Sequence, residues 1–323
     1  MKKLAIFWDK RFEDNNFYNL EIDKNLSPIY EFAKYNWFES TISSDLLEQK
    51  KDKYDYIILC FLTFSIFSFK DYIKLFLKYP KNKKYIFLFE PKVVAPLSYN
   101  KIVHLFFDKI YTWNDNLIDN KKYFKFIFPQ SKNNILRPKN FENKKLLTLI
   151  NWNKASFIKN ELYSEREKAI RYFEDNNIEF DLYWTQWNKK NLKQKLFWYK
   201  NYKSYKWKID DKIETLSNYK FNICFENMKD TPWYITEKIW DSFKAKSVPV
   251  YWGASNILDY VSENCFIDFR KFNWDYDKLT QYISNITKEE YDDFIKNIEY
   301  FLQTEKAQKW FDEKWAIDFT NNL

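Results

Sequence analysis

Short apolar runs alternate along the chain with longer stretches in which apolar residues recur every three or four positions. Apolar runs of about four to eight residues predict buried strands, and the periodic stretches predict amphipathic helices. The clearest runs are LAIFW, YDYIILCF, KYIFLF, KLLTLINW, FDLYW, FNICFE, VPVYWG and CFIDF. Strands that alternate with helices are typical of parallel sheets covered on both faces. We therefore predict an α/β protein with two Rossmann-like domains.

A polar segment of low periodicity separates the two sets of strands. It runs from Gln130 to Lys145 and contains Pro138, which favours a linker. We place an N-terminal domain at residues 1–138, a second domain at 139–300 and a C-terminal helix at 301–323. A chain of 323 residues is long enough for two domains of ordinary size.

Scarce residue types exclude several kinds of site. Gly253 is the only glycine, so no glycine-rich phosphate loop can form, and a phosphate site would need a helix N-terminus and side chains. His104 is the only histidine and lies in the apolar run KIVHLFF, which favours a packing role and excludes histidine triads elsewhere. The dispersed Cys60, Cys224 and Cys265 indicate reduced core thiols of a cytosolic protein.

The chain is basic, with 53 lysines and arginines against 45 acids and a net charge of +8. This charge suits an anionic ligand or an anionic membrane surface. The first apolar run ends at Asp9 and is too short for a signal peptide. No stretch is long and apolar enough to span a bilayer. We expect a cytoplasmic protein, and the charge leaves peripheral contact with the inner face of a membrane open.

The segment Gln186–Lys208 holds eight lysines, seven aromatic residues and no acid. Interleaved basic and aromatic residues can bind nucleic acid. Our first interpretation of this segment is a solvated surface helix and loop. The second is a basic rim beside a nucleotide-sugar site, and the third is a nucleic-acid-binding surface.

A candidate ligand site follows the strand FNICFEN. Thr236 is a good N-cap for the next helix, and Lys238 in its first turn opposes the helix dipole unless an anion binds there. Glu237 carries only acceptors, which suit a ribose diol. Together with Asn227 and Tyr234, these residues lie near the carboxyl ends of two strands, where open α/β sheets bind ligands. An ordinary solvated Glu237–Lys238 pair remains the alternative.

The stretch from Tyr219 to Asn256 resembles the signature of family 10 glycosyltransferases, the α-1,3/4-fucosyltransferases. Its pieces YKF-x-x-x-FEN, Y-[IV]-TEK-[IL] and VP-[IV]-x-x-G occur here in order and without gaps. The resemblance implies a GT-B architecture, with two Rossmann-like domains facing a cleft and GDP-fucose held mainly by the second. Lys246 departs from the pattern, because the family usually has glycine there, and this puts the tight helix-to-strand turn in doubt.

The resemblance also assigns the donor contacts, which fall on Asn227, Tyr234, Glu237 and Lys238. It implies that Glu237 takes the ribose hydroxyls and Lys238 the diphosphate.

One helix earlier, ELYSEREKAIRYF is similar to the family segment that supplies a diphosphate-binding arginine. Arg166 is the first candidate and Arg171 the second. The alternative for Arg166 is a surface ion pair with Glu165 or Glu167.

Inverting transfer from GDP-fucose needs one carboxylate, which removes the proton of the acceptor hydroxyl. Glu90 directly follows the run KYIFLF and precedes Pro91, so it lies at the carboxyl end of a strand, where ligands bind. The family carries its catalytic glutamate in a similar setting, which implies that Glu90 is the base. Asp108 and Asp115 are the alternatives, and Glu90 could also be an ordinary loop carboxylate.

The pair Asp275 and Asp277 has the spacing of a metal motif, but acids are frequent enough in this chain for such pairs to arise by chance. We expect no bound metal and no tightly held cofactor. The resemblance leaves stimulation by divalent metal open.

We therefore predict an α-1,3-fucosyltransferase that moves L-fucose from GDP-fucose to a hydroxyl of a GlcNAc- or Glc-containing oligosaccharide. Such an enzyme would act in protein glycosylation or in lipopolysaccharide or glycan biosynthesis, without a nucleic-acid partner. The alternatives are a GT-B transferase that uses another GDP-deoxysugar, and a non-enzymatic protein that binds glycans or nucleic acid.

Overall fold

The computed structural model describes most of the chain. The described residues are 3–7, 39–42, 50, 53–59, 69–128, 130, 134–196, 201–207 and 209–311. Two compact units are present, one made of Met1–Ser131 with Lys309–Leu323 and the other of Lys132–Gln308. Cys60 and the end of the predicted C-terminal helix lie outside the described residues.

The first unit is built on a six-stranded sheet in which every neighbouring pair is parallel. Its order is β2-β1-β3-β4-β5-β6. The strands are β1 (Lys3–Phe7), β2 (Glu39–Ile42), β3 (Tyr56–Leu59), β4 (Lys84–Leu88), β5 (Lys109–Thr112) and β6 (Tyr123–Lys125). The helices described here are α1 (Phe69–Lys78) and α2 (Lys101–His104).

The core of the first unit follows from the apolar pattern. All five residues of β4 are buried, as expected for a central parallel strand with both faces covered. In α1, Tyr72 and Leu75 are buried at helical spacing and pack in one cluster with Ile57 and Leu59 of β3. His104 is buried, with Nε2 2.6 Å from the carbonyl oxygen of Ser98, so it packs as predicted.

The second unit has a five-stranded parallel sheet of order β11-β10-β9-β7-β8. Its strands are β7 (Lys145–Ile150), β8 (Phe180–Tyr183), β9 (Tyr219–Phe225), β10 (Val248–Trp252) and β11 (Ile267–Asp268). Its helices are α3 (Tyr163–Asp175), α4 (Leu192–Leu196), α5 (Lys212–Ser217), α6 (Glu237–Ala245), α7 (Tyr276–Asn285) and α8 (Lys288–Gln303). A further helix, α9 (Glu305–Phe311), includes residues of both units.

Lys246 makes the turn between α6 and β10 without a glycine. It adopts the left-handed conformation, with φ 55° and ψ 44°, which is the conformation that glycine usually supplies at the end of a helix. Its carbonyl oxygen accepts hydrogen bonds from Lys144 Nζ at 2.6 Å and from Tyr291 Oη at 2.9 Å. The departure from the family pattern therefore leaves the tight turn intact.

Left-handed backbone recurs across the described residues in spite of the missing glycines. Twelve residues other than glycine have a positive φ; five are asparagines and four are tryptophans. Asparagine tolerates this conformation, but a bulky side chain is costly there. Trp184, with φ 97°, and Trp207, with φ 74°, are the most unusual.

No helix of the described chain is both long and apolar enough to cross a membrane.

Candidate functional site

The loop between β9 and α6 carries a buried carboxylate at its start. Glu226 follows the last residue of β9 and is completely buried. Its Oε1 accepts a hydrogen bond from the backbone N–H of Thr236 at 2.8 Å, and its Oε2 accepts one from the Thr236 hydroxyl at 2.7 Å. Thr236 occupies the N-cap position as predicted, but its side chain bonds to Glu226 and not to the backbone of the helix.

Lys238 packs against this arrangement and is largely buried, with 11% of its side chain exposed. Its Nζ lies 3.0 Å from Thr236 Oγ1, 3.4 Å from Glu226 Oε2 and 3.4 Å from Glu237 Oε1. The carboxylate of Glu226 offsets part of the conflict between a lysine and the positive end of the helix. The alternative of a freely solvated Glu237–Lys238 pair is wrong, because Lys238 is largely buried.

Glu237 is ionised and lies among cations. Burial raises its pKa, but Lys238 and Lys212 outweigh burial and lower the pKa to about 2. Lys212 opens α5, and its Nζ donates to Asp241 Oδ2 at 2.8 Å. Glu237 keeps 31% of its side chain exposed, so an ionised acceptor borders the buried lysine.

Arg166 in α3 contacts the start of the same loop. It is 2% exposed, and its Nη2 donates to the carbonyl oxygen of Phe225 at 2.6 Å and to Asn227 Oδ1 at 3.0 Å. The Nδ2 of Asn227 then donates to Tyr234 Oη at 3.0 Å. Buried Arg166 Nε makes no hydrogen bond with any described residue. The predicted Arg166, Asn227 and Tyr234 therefore form one hydrogen-bonded chain.

The second arginine of α3 points to a different partner. Arg171 pairs with Glu167 on the same helix, and Glu165 pairs with Lys168. The interpretation of Arg166 as a surface ion pair is therefore wrong. Burial lowers the pKa of Arg166, as expected for a cation moved away from water.

Glu90 belongs to the first unit, where it follows β4 by two residues and is half-buried. Its backbone carbonyl accepts a hydrogen bond from Tyr99 Oη at 3.0 Å. Burial, and next the charge of Glu90, raise the pKa of Tyr99 far above its usual value. Glu90 is thus a carboxylate at the carboxyl edge of a parallel sheet.

The two alternative bases are less well placed. Asp108 precedes β5 and lies at the amino end of that strand, which is the edge of a parallel sheet away from its ligand side. Asp115 follows β5 but is bound to Lys125, with 2.7 Å between Oδ1 and Nζ.

The acidic pair near α7 has a structural role. Asp275 caps α7 and accepts from the backbone N–H groups of Asp277 and Lys278, and Asp277 accepts from Tyr172 Oη. Within the part of the chain that the structure describes, no cluster of three histidine, cysteine or acidic side chains could hold a metal ion.

The described part of Gln186–Lys208 is packed and partly neutralised. Trp187 and Tyr202 are buried. The Nζ of Lys193 lies 2.7 Å from a carboxylate oxygen of Glu161. This arrangement agrees with a surface element of the second unit.

Sequence reasoning missed two charged residues of the site. Glu226 belongs to the quoted motif FEN. The sequence feature that could have identified it is a charged residue directly after a continuous apolar strand. Lys212 had no local signal, because its partner Asp241 is 29 positions away.

Comparison with known proteins adds independent information. The model of "Glycosyltransferase family 10 (fucosyltransferase) C-term" matches residues 143–316, which is more than half of the chain. An Alpha-(1,3)-fucosyltransferase FucT of Helicobacter pylori is 36% identical over 75 residues, which cover 23% of this chain and 15% of that protein. The aligned part is thus a small fraction of that relative's length.

Solved structures match nearly the whole chain in fold. A crystal structure of an alpha1,3-fucosyltransferase with GDP has a TM-score of 0.60 at 16% identity and covers 99% of this chain and 89% of its own. The structure of Anabaena Alr3699/HepE in complex with UDP and glucose has a TM-score of 0.61 at 8% identity, with both chains fully covered. These matches confirm the predicted α/β fold of the GT-B glycosyltransferases.

Proposed function

Because the chain belongs to glycosyltransferase family 10, we propose that it transfers L-fucose from GDP-fucose to a hydroxyl group of an oligosaccharide. The observation that carries the proposal is a pair of cations at the loop that follows β9, the largely buried Lys238 and the buried Arg166. Two cations beside a helix N-terminus suit a diphosphate, which is the leaving group of this reaction.

The donor contacts are proposed from the geometry of the second unit. Lys238 and the first turn of α6 bind the diphosphate, and Arg166 stabilises it through the unpaired Nε donor. Glu237 accepts hydrogen bonds from the ribose diol, which an ionised and partly exposed carboxylate can do. Asn227 and Tyr234 hold the loop between β9 and α6 and the guanidinium of Arg166 in position.

Glu90 is the proposed general base. It takes the proton of the acceptor hydroxyl while that oxygen forms a bond to the anomeric carbon of fucose. The bond from the anomeric carbon to the β-phosphate oxygen breaks, and GDP leaves with the electron pair, so the configuration at the anomeric carbon inverts. The position of Glu90 at a strand's carboxyl end supports this role.

An assay of GDP release from GDP-fucose tests the proposal, with lactose and N-acetyllactosamine as acceptors. Lys238→Met is expected to reduce donor binding strongly. Lys168→Met is the matched control, because Lys168 is exposed and pairs with Glu165 on the surface of α3. Absence of turnover with every acceptor, or equal behaviour of the two variants, would count against the proposal.

A different donor is the second candidate, either another GDP-deoxysugar or a UDP-sugar. The fold match to a protein solved with UDP and glucose is the observation that supports this second candidate. Thermal-shift measurements with GDP, UDP and other nucleotides separate the two, and stabilisation by UDP but not by GDP would exclude fucose.

We propose that the acceptor is a GlcNAc- or Glc-containing glycan and that fucose is attached to it through an α-1,3 linkage. The product would belong to protein glycosylation or to lipopolysaccharide biosynthesis. We place the enzyme in the cytoplasm, with peripheral contact at the inner membrane face. The net charge of +8 and the free, buried Cys224 and Cys265 support this location. Co-sedimentation with anionic vesicles at low salt, reversed at high salt, tests the membrane contact.

A further inference from the structure

We infer that Glu226 is a positioning residue that prepares the first turn of α6 for a diphosphate, with Gly253 providing the space it needs. The inference rests on the proposed function, because it names what organises the proposed diphosphate site. Glu226 itself is fully buried and acts through Thr236 and Lys238.

The Thr236 hydroxyl does not cap the helix that it precedes. A threonine at the N-cap normally accepts a hydrogen bond from a backbone N–H of the first helical turn. Here the hydroxyl donates to Glu226 Oε2, and its oxygen lies 3.0 Å from Lys238 Nζ. No side-chain capping bond is formed. Glu226 thereby directs Thr236 away from the helix and leaves the N–H groups of Lys238 and Ile239, the usual partners of an N-cap side chain, to an incoming anion.

Glu226 is a buried carboxylate next to two cations. A buried carboxylate is costly unless a cation and hydrogen bonds compensate it. Glu226 has both, since Lys238 Nζ lies 3.4 Å from its Oε2 and the buried Arg166 interacts electrostatically with it. Lys238 Nζ also lies 3.4 Å from the ionised Glu237, and Arg166 donates to the carbonyl oxygen of Phe225 and to Asn227. A diphosphate that enters this loop therefore meets two cations that are already held in place.

Gly253, the only glycine of the chain, lies against the Glu226 side chain. A Cβ atom on Gly253 would lie 2.4 Å from Cγ of Glu226 and 2.6 Å from Oη of Tyr251. Both distances are far below a normal contact, so any side chain at this position must displace the carboxylate or the tyrosine. Gly253 directly follows β10, and Glu226 N–H donates to Trp252 O at 2.8 Å, so the backbones there are already adjacent.

Backbone conformation does not explain this glycine. Gly253 has no positive φ, whereas twelve other residues adopt positive φ without being glycine. The chain therefore uses other residues where glycine would relieve backbone strain, and has its one glycine where a side chain would collide with Glu226. This contrast ties Gly253 to the placement of the buried carboxylate.

Glu226→Gln is the most informative variant because it preserves the size of the side chain. Its amide oxygen can still accept from Thr236 N–H, but its NH2 group must donate to the Thr236 hydroxyl, and the attraction for Lys238 is lost. Hydrogen bonds to charged groups are about twice as strong as neutral ones. We expect the affinity for GDP to fall about tenfold or more.

Calorimetric titration of the full-length chain with GDP and with guanosine provides the test. Since Glu226 organises the phosphate end, Glu226→Gln should weaken GDP binding and leave guanosine binding unchanged. Gly253→Ala should reproduce this pattern, and the double variant should lose less than the product of the two single effects. Thr148→Val is the control, because it removes a buried hydrogen bond to Asp181 in the same sheet; it should alter neither affinity.

The outcomes are distinguishable. Equal GDP affinity in wild type and Glu226→Gln would overturn the inference and leave the proposed function standing. Parallel losses of GDP and guanosine affinity would also overturn it, because a general structural role affects both ligands. A wild-type chain that does not bind GDP would overturn the proposed donor, and the inference with it.

Discussion

Lys144 is a buried lysine whose ionisation should be visible in the stability of the protein. It lies just before β7 and is 5% exposed. Its Nζ donates to the carbonyl oxygens of Lys246 and Tyr219, at 2.6 Å and 3.3 Å. Burial, and next the repulsion from Lys139, lower its pKa from 10.5 to about 7. A neutral amine has two N–H groups, so it can keep both hydrogen bonds.

The sign and size of the effect follow from proton linkage. Between the folded pKa near 7 and the unfolded value of 10.5, the unfolded chain binds a proton that the folded chain has released. The free energy of unfolding therefore rises with pH in this window, by at most about 1.4 kcal/mol per pH unit. The contribution is lost as the pH falls towards the folded pKa.

Lys144→Met removes this titration. We expect the free energy of unfolding of the wild type minus that of the variant to increase by about 1.4 kcal/mol from about pH 8 to about pH 9. Urea unfolding followed by tryptophan fluorescence measures it, because other groups titrate equally in both proteins.

Lys145→Met is the matched control, one residue along the chain. Lys145 is 54% exposed, and a hydrogen bond to Asp181 raises its pKa. Its contribution is therefore constant at pH values well below 10.5, and the wild-type stability minus that of Lys145→Met should not change between about pH 8 and pH 9. A difference for Lys144→Met that stays constant between about pH 8 and pH 9 would refute the reasoning.

Three further predictions concern the proposed active site. Glu90→Gln should lower kcat by about 100-fold or more, as loss of a general base does, with GDP affinity unchanged by calorimetry; a normal kcat would exclude Glu90 as the base. Arg166→Met should weaken GDP binding about tenfold, whereas Arg171→Met should not, since Arg171 pairs with Glu167; equal losses would argue against Arg166. Because the pKa of Glu237 is about 2, it stays ionised and should add no step to the pH dependence of GDP affinity between about pH 5 and pH 8. A step in that range that Glu237→Gln abolishes would contradict this assignment.

Strands that are buried on both faces were predictable from the sequence, whereas the two edge strands of the first sheet were not. Strands such as β4 and β10 are buried on both faces, so they appear as continuous apolar runs. At one edge of the first sheet, β6 is only half-buried and three residues long. At the other edge, β2 contains the mostly polar sequence ESTI. Such edges carry little hydrophobic signal.

The site was predictable as far as its residues are neighbours in sequence. The motif around α6 supplied Glu237 and Lys238, and the strand end supplied Asn227. The partners of Arg166 were not predictable, since Asn227 lies 61 positions away. The buried state of Glu226 depends on contacts between two strands and a helix, which no local pattern encodes.

The scarcity of glycine has a consequence for the unfolded protein. Glycine has more backbone freedom than any other residue, so a chain with one glycine has fewer unfolded conformations to lose. In the folded state the lack of glycine is destabilising, because residues such as Trp184 are held in a strained backbone conformation, with a φ of 97°. Glycine placed at these turns would relieve strain and enlarge the unfolded ensemble at the same time. The turns of this protein are thus held by side-chain packing and by a stiff chain, with little help from a permissive backbone.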